Sequence, residues 1–242
     1  MKQDNPELDL KALVRRVALV AVIASACIGS ARADDSPDWK MCAGKQSTPN
    51  DQRLAACTTI IDAAKEPPPN LALAYCNRAI VYNLTGDLDR AMADLDQAVR
   101  LDTEEYTSLT CRGYQYQYRR DYDRAIADYD KAISSNAARP EAFTARGNAY
   151  RAKGDLDHAI ADYSAAIQRS PTDALALYAR GSAYLVRKDL DLAIADLSEA
   201  IKLDPNMSAA YADRGRAFWS KGDAARANAD FDDVRRLRKL AP

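Results

Sequence analysis

Along the second half of the chain, apolar residues recur three and four apart, stop, and then recur. Ile160, Tyr163 and Ile167 form one such stripe, and Ile194, Leu197 and Ile201 form the next. That spacing places them on one face of a helix. One stretch reads differently. In CRGYQYQYRRDYD, residues 111–123, apolar and polar positions alternate strictly from Tyr114 to Tyr118. Alternation of period two marks a half-buried strand, and tyrosine favours strands.

A longer period overrules the local one. Arg78, Arg112, Arg146, Arg180 and Arg214 are each 34 residues apart, and so are Tyr82, Tyr116, Tyr150, Tyr184 and Phe218. Ala91, Ala125, Ala159, Ala193 and Ala227 keep the same step, as do Asp94, Asp128, Asp162, Asp196 and Asp230. Four ungapped columns of five identify a structural repeat. The tyrosine-rich stretch aligns with ARGNAYRAKGDLD (145–157) and ARGSAYLVRKDLD (179–191), neither of which alternates. Residues 111–118 are therefore predicted helical, context prevailing over β-preference. Each unit reads as two helices. Small residues (Ala79, Gly113, Gly147, Gly181, Gly215) in the first, and the alanine column in the second, let antiparallel helices approach closely. The break between them is Gly86, Arg120, Gly154, Lys188 or Gly222. Asp87, Asp121, Asp155, Asp189 or Asp223 follows as the expected N-cap.

The run Gly147, Tyr150, Ala159, Tyr163, Ala166, Pro171 resembles the signature of the tetratricopeptide repeat family. The resemblance covers 72–105, 106–139, 140–173, 174–207 and 208–241. Ala79 replaces the glycine in the first unit, and Thr103, Ala137 and Lys239 replace the closing proline of the first, second and last units. It implies an all-α, right-handed solenoid of antiparallel helix pairs, each contacting mainly its neighbours. First helices would line a concave groove. Residues 34–71 fit only in part. Counting back from Ala91 gives Cys57, so QRLAACTTIIDAAK is expected as a second helix with Leu54, Ile61 and Ala64 on its stripe. DWKMCAGKQSTPN would be its short partner, and together they form a degenerate N-terminal cap.

Composition is that of an ordinary globular chain: 242 residues, 48% hydrophobic and 29% charged, with net charge −1. Nothing in the balance calls for a nucleic-acid partner. The start of the chain differs. Lys2, Lys11, Arg15 and Arg16 precede an apolar run from Val17 to Ile28, and Ala31-Arg32-Ala33 follows. This is the form of a secretory signal peptide cleaved after Ala33. A membrane anchor and a lipidated Cys27 are the alternatives. The apolar run is short of the ~20 residues a spanning helix needs, and Ala24-Ser25-Ala26 lacks the usual leucine of a lipoprotein box. Arg15-Arg16 leaves Sec and twin-arginine export both open. The leader holds five Lys/Arg and three Asp/Glu, so its removal leaves 209 residues with 29 basic and 32 acidic groups. A bacterial periplasmic or secreted location is expected, with no stable membrane span after cleavage.

Four cysteines then remain, an even number that suggests disulfides in an exported chain. Cys42–Cys57 would staple the thin cap, and closing a loop of that length is worth about 3 kcal/mol in the chain-entropy model. Secreted bacterial proteins of the resembling family look similar here. Cys76 and Cys111 occupy nearby places on adjacent first helices. They form either a second bridge or two packed thiols.

Catalytic signatures are not found. His158, the only histidine, lacks a second His or a Cys beside it. The carboxylate pairs of GDLD and RDYD sit at helix starts, where capping explains them, and no EF-hand loop follows. No enzyme activity, cofactor or metal is expected. The Arg and Asp columns recur in every unit, so they are read as a structural ladder of ion pairs, within a unit or between neighbours. The final basic run, Arg235, Arg236, Arg238 and Lys239, suits a solvated helix C-terminus.

What varies between units carries the functional expectation. By the family resemblance, Leu73, Cys76, Ile80, Asn83 and Leu84 would face the groove, then Thr107, Thr110, Tyr114, Gln117 and Tyr118. Later units would contribute Glu141, Thr144, Asn148, Arg151 and Ala152, then Leu175, Tyr178, Ser182, Leu185 and Val186, then Ala209, Ala212, Arg216, Trp219 and Ser220. Tyr114, Tyr118, Arg151, Tyr178, Arg216 and Trp219 stand out, because aromatics and arginine dominate binding hot spots. The competing reading packs Tyr114 and Tyr118 against neighbouring helices. Cys76, Ile80, Thr110 and Tyr114 occupy the places where a carboxylate clamp would need Lys and Asn. The expected function is an exported scaffold holding a protein or peptide in its groove. A self-associating envelope protein, or a non-catalytic subunit of an envelope enzyme complex, is the alternative.

Overall fold

In each of the five repeat units the break between the two helices is a left-handed residue followed by aspartate. Gly86, Gly154 and Gly222 have φ of 88°, 87° and 81°, while Arg120 and Lys188 take φ of 62° and 69° without the freedom of glycine. The aspartate amide then reaches back to the carbonyl of the aromatic column: Asp87 N to Tyr82 O at 2.8 Å, Asp155 N to Tyr150 O at 2.9 Å, Asp223 N to Phe218 O at 3.0 Å. This closes the helix in a Schellman motif. The aspartate side chain opens the next helix, accepting from the amide three residues on. Asp87 caps at Arg90, Asp121 at Arg124, Asp155 at His158 and Asp223 at Arg226. Asp189 departs from the expectation. It makes no side-chain cap and accepts instead from Arg187 Nε at 2.5 Å.

The computed structural model describes residues 36–44, 48–101 and 106–240, and among them every regular element is a helix. The leader expected at residues 1–33 lies outside this range. The helices are α1 (Pro37–Ala43), α2 (Asn50–Ala63), α3 (Pro68–Thr85), α4 (Leu88–Leu101), α5 (Tyr106–Tyr118) and α6 (Tyr122–Ser135). They continue with α7 (Pro140–Lys153), α8 (Leu156–Arg169), α9 (Ala174–Arg187), α10 (Leu190–Leu203), α11 (Ser208–Ser220) and α12 (Ala224–Leu240). The tyrosine-rich stretch is helical, as the 34-residue period requires.

Consecutive helices pair, and the pairs gather into two compact units meeting at Asn136 and Ala137. In the first, α3–α5 bury Cys76, Ile80, Leu95 and Cys111 together. The cap α1–α2 packs Trp39, Cys42, Ala56, Cys57 and Ile60 against Ala74. In the second, Ala159 and Tyr163 pack with Ala179 and Ala183. Leu177, Leu197, Ile201, Tyr211 and Val234 form its other cluster. Hairpin closeness depends on the small-residue column. A Cβ at Gly147 would lie 2.7 Å from Tyr163 Cε1 and 3.2 Å from the Ala159 carbonyl, so only glycine fits beneath that ring.

Two expectations about the N-terminal part are corrected. The buried stripe of α2 is Arg53, Ala56, Cys57 and Ile60, whereas Leu54 and Ile61 are half-buried and Ala64 is exposed. The helix stops at Ala63 before the proline run Pro67-Pro68-Pro69, so the turn that would have buried the last stripe residue is missing. Cys42 and Cys57 are disulfide-bonded, with Cα atoms 4.7 Å apart. Cys76 and Cys111 are not joined. Cys76 remains a thiol, with Sγ 3.7 Å from Ser108 Oγ. Cys111 is buried in the same cluster and is itself disulfide-bonded, so the two form neither a bridge with each other nor a pair of thiols.

Candidate functional site

The Arg and Asp columns pair within each hairpin as a two-toothed fork. Arg78 Nε and Nη2 each donate to Asp94 at 2.8 Å, and Arg112 does the same to Asp128. Arg146–Asp162, Arg180–Asp196 and Arg214–Asp230 repeat the geometry at 2.7 to 3.0 Å. The carboxylates are buried and the arginines half-buried. The third guanidinium nitrogen reaches the preceding hairpin, from Arg112 to Asp96 at 3.2 Å, from Arg180 to Ser164 at 3.0 Å and from Arg214 to Ser198 at 3.0 Å. The column aspartates thus pair within their own hairpin, while the contacts between hairpins go to Asp96, Ser164 and Ser198. The hydrogen bonds that Arg78, Arg112, Arg180 and Arg214 donate to Asp94, Asp128, Asp196 and Asp230 hold these guanidinium groups above the usual arginine range against the opposing effect of burial.

A second set of pairs escaped the sequence reading. Arg119 meets Asp89 at 2.8 Å, Arg187 meets Asp157 at 2.9 Å, and Lys221 meets Asp191. Each joins the end of one first helix to the start of the preceding second helix. The 30-residue interval was the available signal. Cations also stack on the aromatic column, Arg90 on Tyr82, Arg124 on Tyr116 and Arg226 on Phe218, and the His158 ring stacks on Tyr150 at the corresponding place. These contacts account for the conspicuous arginines and for His158 as structural parts.

The variable residues remain. In the first unit, Cys76, Ile80, Asn83, Thr107 and Thr110 are buried. Thr110 Oγ1 donates to the Tyr106 carbonyl at 2.6 Å. Tyr114 is half-buried and meets Tyr129 edge-on with centroids 5.6 Å apart. Tyr129 donates its hydroxyl to Gln117 Oε1 at 3.1 Å. Tyr118, one turn on, is half-buried as well. This region is thus largely occupied by its own packing.

The second unit is open where the first is filled. Arg151 on α7 is exposed and lies 3.5 Å from Ser182 Oγ on α9. Arg216 on α11 is exposed and paired at 2.7 Å with Asp213, whose carboxylate is buried. Tyr178 lies half-buried among these groups. Burial raises its phenol above the usual tyrosine value, Asp213 adds to the shift, and Arg151 and Arg216 oppose it. Trp219 and Val186 are 61% and 62% exposed, large values for such apolar side chains. Ser182, Leu185, Val186, Asp213, Arg216 and Trp219 line an open cavity of about 490 Å³. In the same unit, Tyr163 donates to Asn148 Oδ1 at 2.8 Å, and burial pushes its phenol up to about 12. The structure therefore brings Arg151, Tyr178, Arg216 and Trp219 together, and places Tyr114 and Tyr118 in the other unit. Asp213, which pins Arg216, was missed. Its interval of three from Arg216 on one helix was the clue.

Among the described residues, no cluster of His, Cys, Asp or Glu is arranged to hold a metal ion. None of the described helices is long and apolar enough to cross a membrane.

Family models described as tetratricopeptide repeat match residues 72–105, 112–174, 144–208 and 178–242. No curated protein matches the chain. Among solved structures, MamA 41-end from Desulfovibrio magneticus RS-1 is 24% identical, with TM-score 0.63 over 70% of this chain and 96% of that one. YrrB, described as a TPR protein with an unusual peptide-binding site, is 22% identical, with TM-score 0.60 over 77% and 94%. Pseudomonas aeruginosa pilF is 16% identical, with TM-score 0.66 over 71% and 78%. At these identities the likeness is one of fold.

Proposed function

This chain belongs to the tetratricopeptide repeat family, and from that premise we propose that it is an exported, non-catalytic scaffold that holds a protein or peptide partner on its inner helix faces. The observation that carries the reading is the exposed Trp219 and Val186 beside Arg151 and Arg216 in the second unit. Solvent-facing apolar groups rimmed by polar ones mark interaction surfaces, and Trp and Arg contribute most at their centres. The regular columns of Arg, Asp, Ala and aromatic residues are consumed by packing, which leaves the variable positions for recognition. The peptide-binding site of YrrB shows that this fold accommodates such a ligand in that protein.

Export is supported by the basic, apolar and A-x-A segments of the leader. The Cys42–Cys57 bond adds to this, since disulfides persist in oxidising compartments. Two experiments test the proposal. A photo-reactive residue at Trp219 should cross-link a defined partner, whereas the same probe at Leu203 on α10 should not. Loss of that contrast would remove the surface from consideration. Fractionation with N-terminal sequencing should find the mature chain outside the cytoplasm and beginning at Asp34. Light scattering should report a monomer, and a dimer abolished by Trp219→Ala would favour self-association instead.

A further inference from the structure

We propose that the inner face of the second unit takes an extended peptide segment bearing one acidic side chain and, a few residues away, one bulky apolar side chain. The inference rests on the groove-binding reading above and narrows its ligand class. Its basis is a charge imbalance. Arg216 is already neutralised by Asp213 at 2.7 Å. Arg146, Arg180, Arg187, Arg214 and Arg226 of the same unit each hold a carboxylate. Arg151 touches the Ser182 hydroxyl at 3.5 Å, and among the described residues no carboxylate lies within ion-pair distance of it. An exposed guanidinium with hydroxyl neighbours and no carboxylate partner can still donate two parallel hydrogen bonds to an incoming carboxylate. A lysine brought to the same place would meet an uncompensated positive charge.

The apolar half of the ligand is set by Val186 and Trp219, which flank the cavity beyond Ser182. Arg151, Ser182 and Trp219 stand on α7, α9 and α11, three successive first helices. Packed helices lie roughly 8–10 Å apart, and an extended chain advances about 3.3 Å per residue. An acidic group over Arg151 and an apolar group at Val186 or Trp219 are therefore about three to six residues apart.

The test is an array of ten-residue peptides in a Gly/Ser background, each with one Asp and one Phe three to six positions apart. Matched arrays carry Lys for Asp or Ser for Phe. The full chain should bind the Asp/Phe peptides at least about tenfold more tightly than the Lys/Phe peptides, the size of one charge-assisted hydrogen-bonded pair. Arg151→Glu should reverse that preference, and Trp219→Ala should abolish dependence on Phe. Both side chains are exposed, and an unchanged circular-dichroism melt will establish that each variant is folded. Equal binding of Asp and Lys peptides, or an Asp preference that survives in Arg151→Glu, overturns the inference. If no array peptide binds while the probe at Trp219 still cross-links a defined partner, this ligand class is wrong and the groove reading stands. If the Trp219 probe captures nothing as well, both fall.

Discussion

Arg146 grips Asp162 through two parallel hydrogen bonds, Nε to Oδ2 at 2.9 Å and Nη2 to Oδ1 at 2.7 Å, across the two helices of one hairpin. Asp162 is 5% exposed, so its charge depends on that partner. Arg146→Met should therefore destabilise the chain by about 2–3 kcal/mol, chiefly through the stranded carboxylate. Arg146→Met with Asp162→Leu should recover most of the loss, because a buried pair often does no better than an apolar replacement. Urea denaturation of the two variants checks this. A single variant as stable as the parent would show that the fork sets geometry without contributing stability.

The glycine column makes a stricter demand. In Gly147→Ala the new methyl would sit 2.7 Å from the Tyr163 ring, which is fully buried and held by Asn148. Overpacking of this kind costs about 1–3 kcal/mol. The first hairpin suggests the remedy, since Ala79 there lies in one cluster with Leu95, the residue equivalent to Tyr163. Gly147→Ala combined with Tyr163→Leu should melt closer to the parent than Gly147→Ala alone. If the double variant melts lower, the aromatic ring contributes more than the steric fit.

These two contacts show what a single sequence discloses. The 34-residue period revealed the helices, the Arg and Asp columns and the small-residue column, because packing imposes the same residue in every hairpin. It did not reveal that the glycines lie beneath Tyr163 and its counterparts, because that column mixes Tyr, Leu and Phe. Nor did it separate the two tyrosine-rich turns from the open surface. Tyr114 and Trp219 were chosen by the same positional rule, yet Tyr114 packs on Tyr129 while Trp219 faces solvent. Burial depends on which neighbours cover a face, and a repeat pattern contains no such information.

The N-caps give the chain an acid sensitivity with a definite sign. Asp87, Asp155 and Asp223 titrate below the usual aspartate value of 3.8, first because of the amide three residues on; for Asp121 the Arg124 guanidinium leads. A carboxylate whose pKa is lower folded than unfolded stabilises above the unfolded value, about 3.9. That contribution is lost as pH falls through the folded value. Carboxyl chemical-shift titration should place these four below 3.8. Stability should decline from about pH 4 downward, and replacing the four by Asn should flatten that decline. An acid limb unchanged by the replacements would assign the sensitivity elsewhere.

The Cys42–Cys57 bond should matter most for the helix least able to stand without it. Helix α1 has seven residues and buries only Trp39 and Cys42, and helices this short are marginal on their own. Closing the 15-residue separation is worth about 3 kcal/mol where the reduced chain is free to unfold. Cys57 falls in the alanine column with Ala91, so Cys57→Ala should remove the bond without opening or overfilling the core. The chain contains two tryptophans, and Trp219→Phe leaves Trp39, 2% exposed and donating to Glu66 at 3.1 Å, as the sole emitter. In that background, reduction or the pair Cys42→Ala and Cys57→Ala should shift Trp39 emission to the red and lower the denaturant midpoint reported by it. Reductant should have no further effect on the alanine pair. Emission that stays blue after reduction would mean that the packing of Trp39 among Cys57, Ile60 and Ala74, together with its bond to Glu66, holds the cap without a covalent tie.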